Sequence, residues 1–272
     1  MKRLFFLSLL LPIAVQAQDG ERILKACASM LANNRAPQPM PFFGIRRENI
    51  RLDTMSASAQ SYRHRAFTYL WQGNYEEAAL WLEKTGDNYP REHGIIGEIY
   101  LSKLQDYPRA LRHLDTYDAL TPNFDDMISN NPISYLRGLT YRSIGNHTKA
   151  IEQFSIAIDS LSRKHGPEWV NYKHFVSRAV SYIATQQSEK AVDDLNKAAK
   201  NFTRSALIAY HRGRALLQLN RTTEARTAFE DASFFFKSLR AERTADYQED
   251  EFNPVYEEEI DEALTHLKNQ TR

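Results

Sequence analysis

The chain has 272 residues, 42% of them hydrophobic and 25% charged, with a formal charge of +1. That balance excludes a disordered polar chain, and it leaves no sequence-wide basicity for nucleic acid. Glycine and proline number only ten each, which favours long helices over many short strands joined by tight turns.

The N-terminus differs in kind from the rest. Lys2 and Arg3 precede an apolar run from Leu4 to Val15, and Val15-Gln16-Ala17 presents small or β-branched residues where a signal peptidase reads. Residues 1–17 are therefore expected to be a secretory signal cleaved after Ala17. About a dozen apolar residues are too few to span a ~30 Å hydrocarbon core, so no stable membrane span is expected once the signal is removed. Loss of Lys2 and Arg3 takes the formal charge from +1 to −1. The expected location is periplasmic or secreted.

Residues 18–55 read as an N-terminal cap. Ile23, Leu24, Cys27, Met30 and Leu31 recur at helical spacing, and Pro37-Gln38-Pro39-Met40-Pro41 enforces an extended connector. Cys27 is the single cysteine and has no internal disulfide partner. It reads as a half-buried helix residue or as a lipidation site. Lys25 stands where a lipidation motif wants a small uncharged residue, which favours the former.

From residue 56 to 237 one pattern recurs: a small residue, a large apolar one four places on, and a third member seven places on. Its instances are Ala78/Leu82/Thr85, Ala110/Leu114/Tyr117, Ala150/Phe154/Ala157, Ala191/Leu195/Ala198 and Ala225/Phe229/Ala232, with first members 32, 40, 41 and 34 residues apart. Twelve residues before each first member stand Ala66, Glu98, Gly138, Ala179 and Gly213; nine before stand Tyr69, Leu101, Tyr141, Tyr182 and Leu216. Polar breaks such as Gln72-Gly73-Asn74 and Gly145-Asn146 lie between the halves, so each unit reads as helix, tight turn, helix. Small residues at the crossing let two helices approach closely, and large ones fill the flanking grooves. The copy around Ala110 is the weakest, because Glu98 occupies a small-residue place. Asn123–Pro132 and Leu161–Trp169 hold extra residues, read as longer connections or extended helix ends.

Gly138, Tyr141, Gly145, Ala150, Phe154 and Ala157 match the pattern of the tetratricopeptide repeat (TPR) family, and the chain resembles that family over about two-thirds of its length. The resemblance implies an all-α, right-handed superhelical solenoid of about five helix-turn-helix units, with helical caps at both ends. It also implies a scaffold that binds a protein or peptide through its concave face, one form of which is bacterial envelope assembly. A structural subunit, or a homo-oligomer packed through its repeats, is the alternative. Carried over by position, the groove residues are Arg63, Phe67, Tyr135, Arg142, Lys173, Val180, Tyr210 and Arg214. This aromatic and basic mixture suits a peptide with apolar and acidic side chains. Phe67 and Leu139 stand where the family's carboxylate clamp has asparagines, which argues against a receptor for acidic chaperone tails.

Residues 238–272 read as an acidic C-terminal cap. Asp246 to Glu262 contains nine acidic residues and no basic one, and Asn253-Pro254 has the chemistry of a helix start. Tyr256, Ile260, Ala263, Leu264 and Leu267 form one apolar stripe. An alternative reading makes the acidic run a site for a basic partner or cation. Phe234-Phe235-Phe236 reads as core beneath the cap. No HExxH, paired CxxC or Gly-rich phosphate loop occurs, and the eight histidines are scattered. No enzyme activity, cofactor, metal or nucleic-acid partner is expected. Four Asn-x-Thr sequons, at Asn146, Asn201, Asn220 and Asn269, read as turn formers or as glycosylation acceptors.

Overall fold

The computed structural model describes residues 58–242 and 248–270; the expected signal, the Cys27 helix and the Pro-rich connector lie outside them. Eleven α-helices are found among the described residues, and ten of them pair in sequence as five hairpins. The pairs are α1 (Ala59–Trp71) with α2 (Tyr75–Asn88), α3 (His93–Ile99) with α4 (Tyr107–Asp118), and α5 (Ile133–Ser143) with α6 (His147–His165). They continue with α7 (Tyr172–Ala184) and α8 (Ser188–Asn201), then α9 (Ala206–Gln218) and α10 (Thr222–Glu242), and α11 (Glu257–Gln270) packs on α10. No described helix is long and apolar enough to cross a membrane.

Each hairpin turns in the same way. The residue before the second helix's cap is left-handed in all five: Gly73, Gln105, Gly145, Gln186 and Asn220. The first helix of the third hairpin ends with the Asn146 N–H on the Tyr141 carbonyl at 2.9 Å, the closing bond of a Schellman motif. Asn146 then caps α6 by accepting from the Lys149 N–H at 3.1 Å. One residue thus ends one helix and begins the next, which is why the elbow needs so few residues.

The crossings are set by the small residues. A Cβ on Gly138 would stand 2.5 Å from the Phe154 ring, and one on Gly213 2.7 Å from the Phe229 ring. Phe154 and Phe229 are completely buried, as are Leu82, Leu114 and Leu195 at the matching places. Each such side chain contributes about 1.5–3 kcal/mol of burial.

The second hairpin is a regular copy with one residue added, not a degenerate one. Its small residue is Gly97, whose Cβ would lie 2.6 Å from Leu114, and not Glu98. Gly97 and Leu114 are seventeen residues apart, whereas Gly138 and Phe154 are sixteen. The surplus residue is absorbed by a π-helical turn at Tyr100–Leu104. Accordingly the elbow bond runs from the Asp106 N–H to the Tyr100 carbonyl, six residues back instead of five. Tyr100, completely buried, takes the large-residue place assigned to Leu101.

The two long connections are ordered differently. Met127–Ile128 and Asn131–Pro132 form a small antiparallel hairpin through Ser129 and Asn130, both left-handed. Upstream of it, Asp125 accepts from the Ser134 N–H at 3.0 Å and from the Ser160 hydroxyl at 2.8 Å, tying α5 to α6. The second connection is a lengthened α6 followed by a short 3-10 turn at Pro167–Trp169.

Two expectations at the C-terminus need correction. Asn253-Pro254 does not start the last helix; α11 begins at Glu257, where the Tyr256 N–H donates to the Glu259 carboxylate at 3.1 Å. Asn253 is committed elsewhere, as described below. The Phe234-Phe235-Phe236 run is only partly core: Phe236 is buried and Phe235 packs against it, but Phe234 is 63% exposed. Three consecutive helical residues sweep about 200° and cannot share one face.

Candidate functional site: the first-helix face and its strap

The first helices α5, α7 and α9 neighbour one another directly, so their outward rows form a continuous inner face. Residues 248–256 lie across it as a strap that has no helix or strand of its own. Arg142, in the last turn of α5, donates one N–H to the Phe252 carbonyl at 2.7 Å and another to the Asn253 side-chain oxygen. The Asn253 amide in turn donates to the Ser177 hydroxyl of α7 and to the Asp250 carboxylate, each at 3.0 Å. The Ser177 hydroxyl lies 3.0 Å from the Tyr135 hydroxyl of α5. Three elements thereby meet through one buried amide.

The other end of the strap sits at the start of α9. The Ser205 hydroxyl donates to one Glu249 carboxylate oxygen, and the Leu207 N–H donates to the other at 3.3 Å. Burial pushes the Glu249 carboxyl up, while the bonds from Ser205, Leu207 and Tyr172 oppose that shift. The positive end of the helix favours this carboxylate. Phe252 packs against the core cluster of the first three hairpins, and Val255 belongs to that of the last two. Asp250 and Asn253 are 3% and 5% exposed, so the strap is seated rather than laid on the surface.

Two buried histidines lie in the same region. The His174 ring centroid is 4.2 Å from that of Tyr135, and burial pushes its pKa down to about 4, against a pull from Asp250. His211, three residues before Arg214, is pushed down to about 3 by burial, with Arg214 and Arg142 adding to the shift. Both rings are neutral near pH 7.

The eight residues expected in the groove fare differently. Arg142 faces the strap, and Tyr135 lies in the core as part of the same hydrogen-bonded chain. Lys173 is half-buried and acts electrostatically on Glu249. Tyr210 is buried, and Arg214 is exposed with its guanidinium 5.9 Å from the Tyr210 ring centroid. Val180 packs on the second core cluster and Phe67 on the first. Arg63 pairs with Glu92 at 2.5 Å. Tyr135 and Tyr210 are therefore supports beneath the face, not open contacts. Leu139 is completely buried and presents nothing to a ligand. Ser177, Ser205, Glu249 and Asn253 went unrecognised in the sequence: small hydroxyls carry no periodic signal, and Asn253 resembles a helix cap.

Among the described residues, no group of three or more His, Cys, Asp or Glu side chains is placed to hold a metal ion. Residues 176–234 match the tetratricopeptide repeat family. No curated protein matches the chain. Among solved structures, the MamA RS-1 ArsTM double mutant is 19% identical, covers 69% of this chain and 99% of its own, and has a TM-score of 0.56. MamA 41-end from Desulfovibrio magneticus RS-1 is 23% identical, with coverages of 71% and 100% and a TM-score of 0.51. A further MamA crystal structure is 14% identical, with coverages of 70% and 97% and a TM-score of 0.55. At these identities the likeness concerns the fold alone: the chain is an all-α solenoid of tetratricopeptide-repeat type.

Proposed function

We propose that this protein is an exported scaffold that binds a protein or peptide segment through its first-helix face, working in the assembly of a bacterial cell envelope. One observation carries the binding part. The face already seats a bent, non-helical stretch of polypeptide and reads its side-chain carboxylate, its side-chain amide and a backbone carbonyl with Ser205, Arg142 and Ser177. Those are the groups any peptide offers, and a rigid solenoid supplies the preformed surface. Export rests on the Lys2-Arg3 charge and the Leu4–Val15 apolar run.

A photo-crosslinking residue tests the face directly. Placed at Lys173 or at the exposed Arg214, it should capture the same protein in the native host, whereas at Ile156, exposed on the second helix α6, it should not. Equal capture from all three positions would sink the proposal. For export, the chain recovered from the envelope fraction should begin at Gln18; a cytoplasmic chain that retains the leader contradicts it.

A further inference from the structure

Arg142 is a half-buried, permanently charged group, and every acceptor the structure gives it belongs to the strap. Anything that replaces the strap must bring a carbonyl and a side-chain acceptor to the same place, or leave a half-buried guanidinium without its acceptors. The start of α9 makes a second demand, since the Ser205 hydroxyl and the Leu207 N–H both donate to one carboxylate. The two anchors are linked by the chain from Glu249 to Asn253. Four residues reach at most about 14 Å even when fully extended, and the turn between these anchors shortens that span, so the anchors act as a ruler. Between them, Phe252 occupies an apolar position. Asp250 shapes the turn by accepting from the Phe252 N–H at 2.9 Å and from the Asn253 amide.

We propose that the natural ligand of this face is an acidic segment of another protein that repeats the strap's bent backbone and its chemistry. It carries a carboxylate for the start of α9, an aromatic side chain three residues on, and an asparagine or equivalent acceptor four residues on at Arg142. Strap and ligand exclude each other. The inference rests on the protein-binding reading of the same face. Tethering gives the strap a high local concentration, so the intact chain binds such a ligand only through its small strap-open fraction. Weakening the strap without touching the face raises the apparent affinity in proportion.

The probe is a fluorescein-labelled peptide of this chain's residues 248–256, titrated by anisotropy into the full chain. E249A/N253A leaves Arg142, Ser177 and Ser205 in place and is expected to bind the peptide about tenfold or more tightly than the wild type. Adding R142Q should abolish the gain, and the same two alanines placed in the peptide should abolish binding. A double variant with wild-type circular dichroism and no gain overturns the proposal, because the strap is then a permanent part of the core. Should the double variant fail to fold, hydrogen exchange on the wild type decides. Amides of residues 249–253 must exchange about tenfold or more faster than the cores of α5, α7 and α9, and equal rates overturn the proposal. A doubled mass in light scattering together with exchange of straps between chains also overturns it, by making a second copy the occupant. Crosslinking from Lys173 and Arg214 with no gain in peptide affinity leaves the protein-binding reading standing and removes only this ligand chemistry.

Discussion

At the residue scale, the left-handed elbows show how single positions set the fold. Gly73 and Gly145 adopt positive φ freely, but Gln105, Gln186 and Asn220 adopt it against the Cβ–carbonyl clash. Gln186 is exposed, and no side-chain bond holds it there. Relieving about 1–2 kcal/mol of strain, less the greater freedom that glycine brings to the unfolded chain, predicts that Gln186→Gly stabilises by about 0.5–1 kcal/mol. Urea melts should show a higher midpoint at unchanged slope; a lower midpoint refutes the strain argument. The ion pair between Arg178 and Asp194 lies at the other extreme. It is bidentate at 2.7 and 2.8 Å, and Arg178 also donates to Ser155 of the preceding hairpin at 3.0 Å. Because both partners are largely buried, Asp194→Ala leaves an uncompensated guanidinium and should cost about 3 kcal/mol or more. Arg178→Met in the same background should recover part of that loss in the same melts, since it removes the stranded charge.

At the element scale, the second hairpin turns a sequence irregularity into a mechanical one. The extra residue in the π turn keeps Gly97 opposite Leu114 and Tyr100 in the core, at the cost of one widened helical turn. Removing Lys103 restores the five-residue separation between a core tyrosine and the following cap, as between Tyr141 and Asn146. That deletion should fold with a Tm within about 5 °C of the wild type, the shift expected for roughly 1 kcal/mol in a domain of this size or smaller. Removing Ile144 from the third hairpin, which has no surplus residue, should unfold it. Comparable losses in thermal melts of the two deletions would remove the insertion account. The same comparison marks what the sequence could convey. The hairpins at Gly138, Ala179 and Gly213 were legible because the spacing of their small and large residues follows directly from helix geometry. The Ala110 copy is out of register because a fixed spacing does not hold across a π turn, which no local composition announces. The strap was illegible for a different reason. Asn253 before Pro254 satisfies the local rule for a helix start, and only tertiary partners 76 and 111 residues away redirect its side chain. Of the expected groove residues, Arg142 bonds to the strap, which its position on α5 alone does not convey, and the burial of Tyr135 and Tyr210 depends on what packs over them.

At the scale of the whole molecule, the strap departs from the nearest-neighbour logic of repeat arrays, in which each unit touches only the next. Phe252 packs on one core cluster and Val255 belongs to the other, and the two clusters otherwise divide within α6, Ala157 falling in the first and Ile158 in the second. The buried histidines make this region less stable as the pH falls. His174 is pushed down to about 4 and His211 to about 3, from an unfolded value near 6.5. Below pH 6.5 the unfolded chain therefore binds protons that the native chain refuses, and stability falls as pH falls. The slope is about 1.4 kcal/mol per pH unit for each histidine until its native pKa is reached. His93, His113 and His147 are shifted in the same direction by burial and add to the loss. Glu98, Asp118 and Glu249 are shifted upward by burial and oppose it, since they take up protons first in the native state as the pH approaches the carboxylate range. Between pH 7 and 5.5 the histidines dominate, and His174 and His211 together should account for about 2 kcal/mol of lost stability. Guanidinium melts at those two pH values check this: the H174Q/H211Q double variant should lose about 2 kcal/mol less than the wild type. Identical losses in the two proteins would mean that both rings already reach water in the native state, and that the region beneath the strap is open.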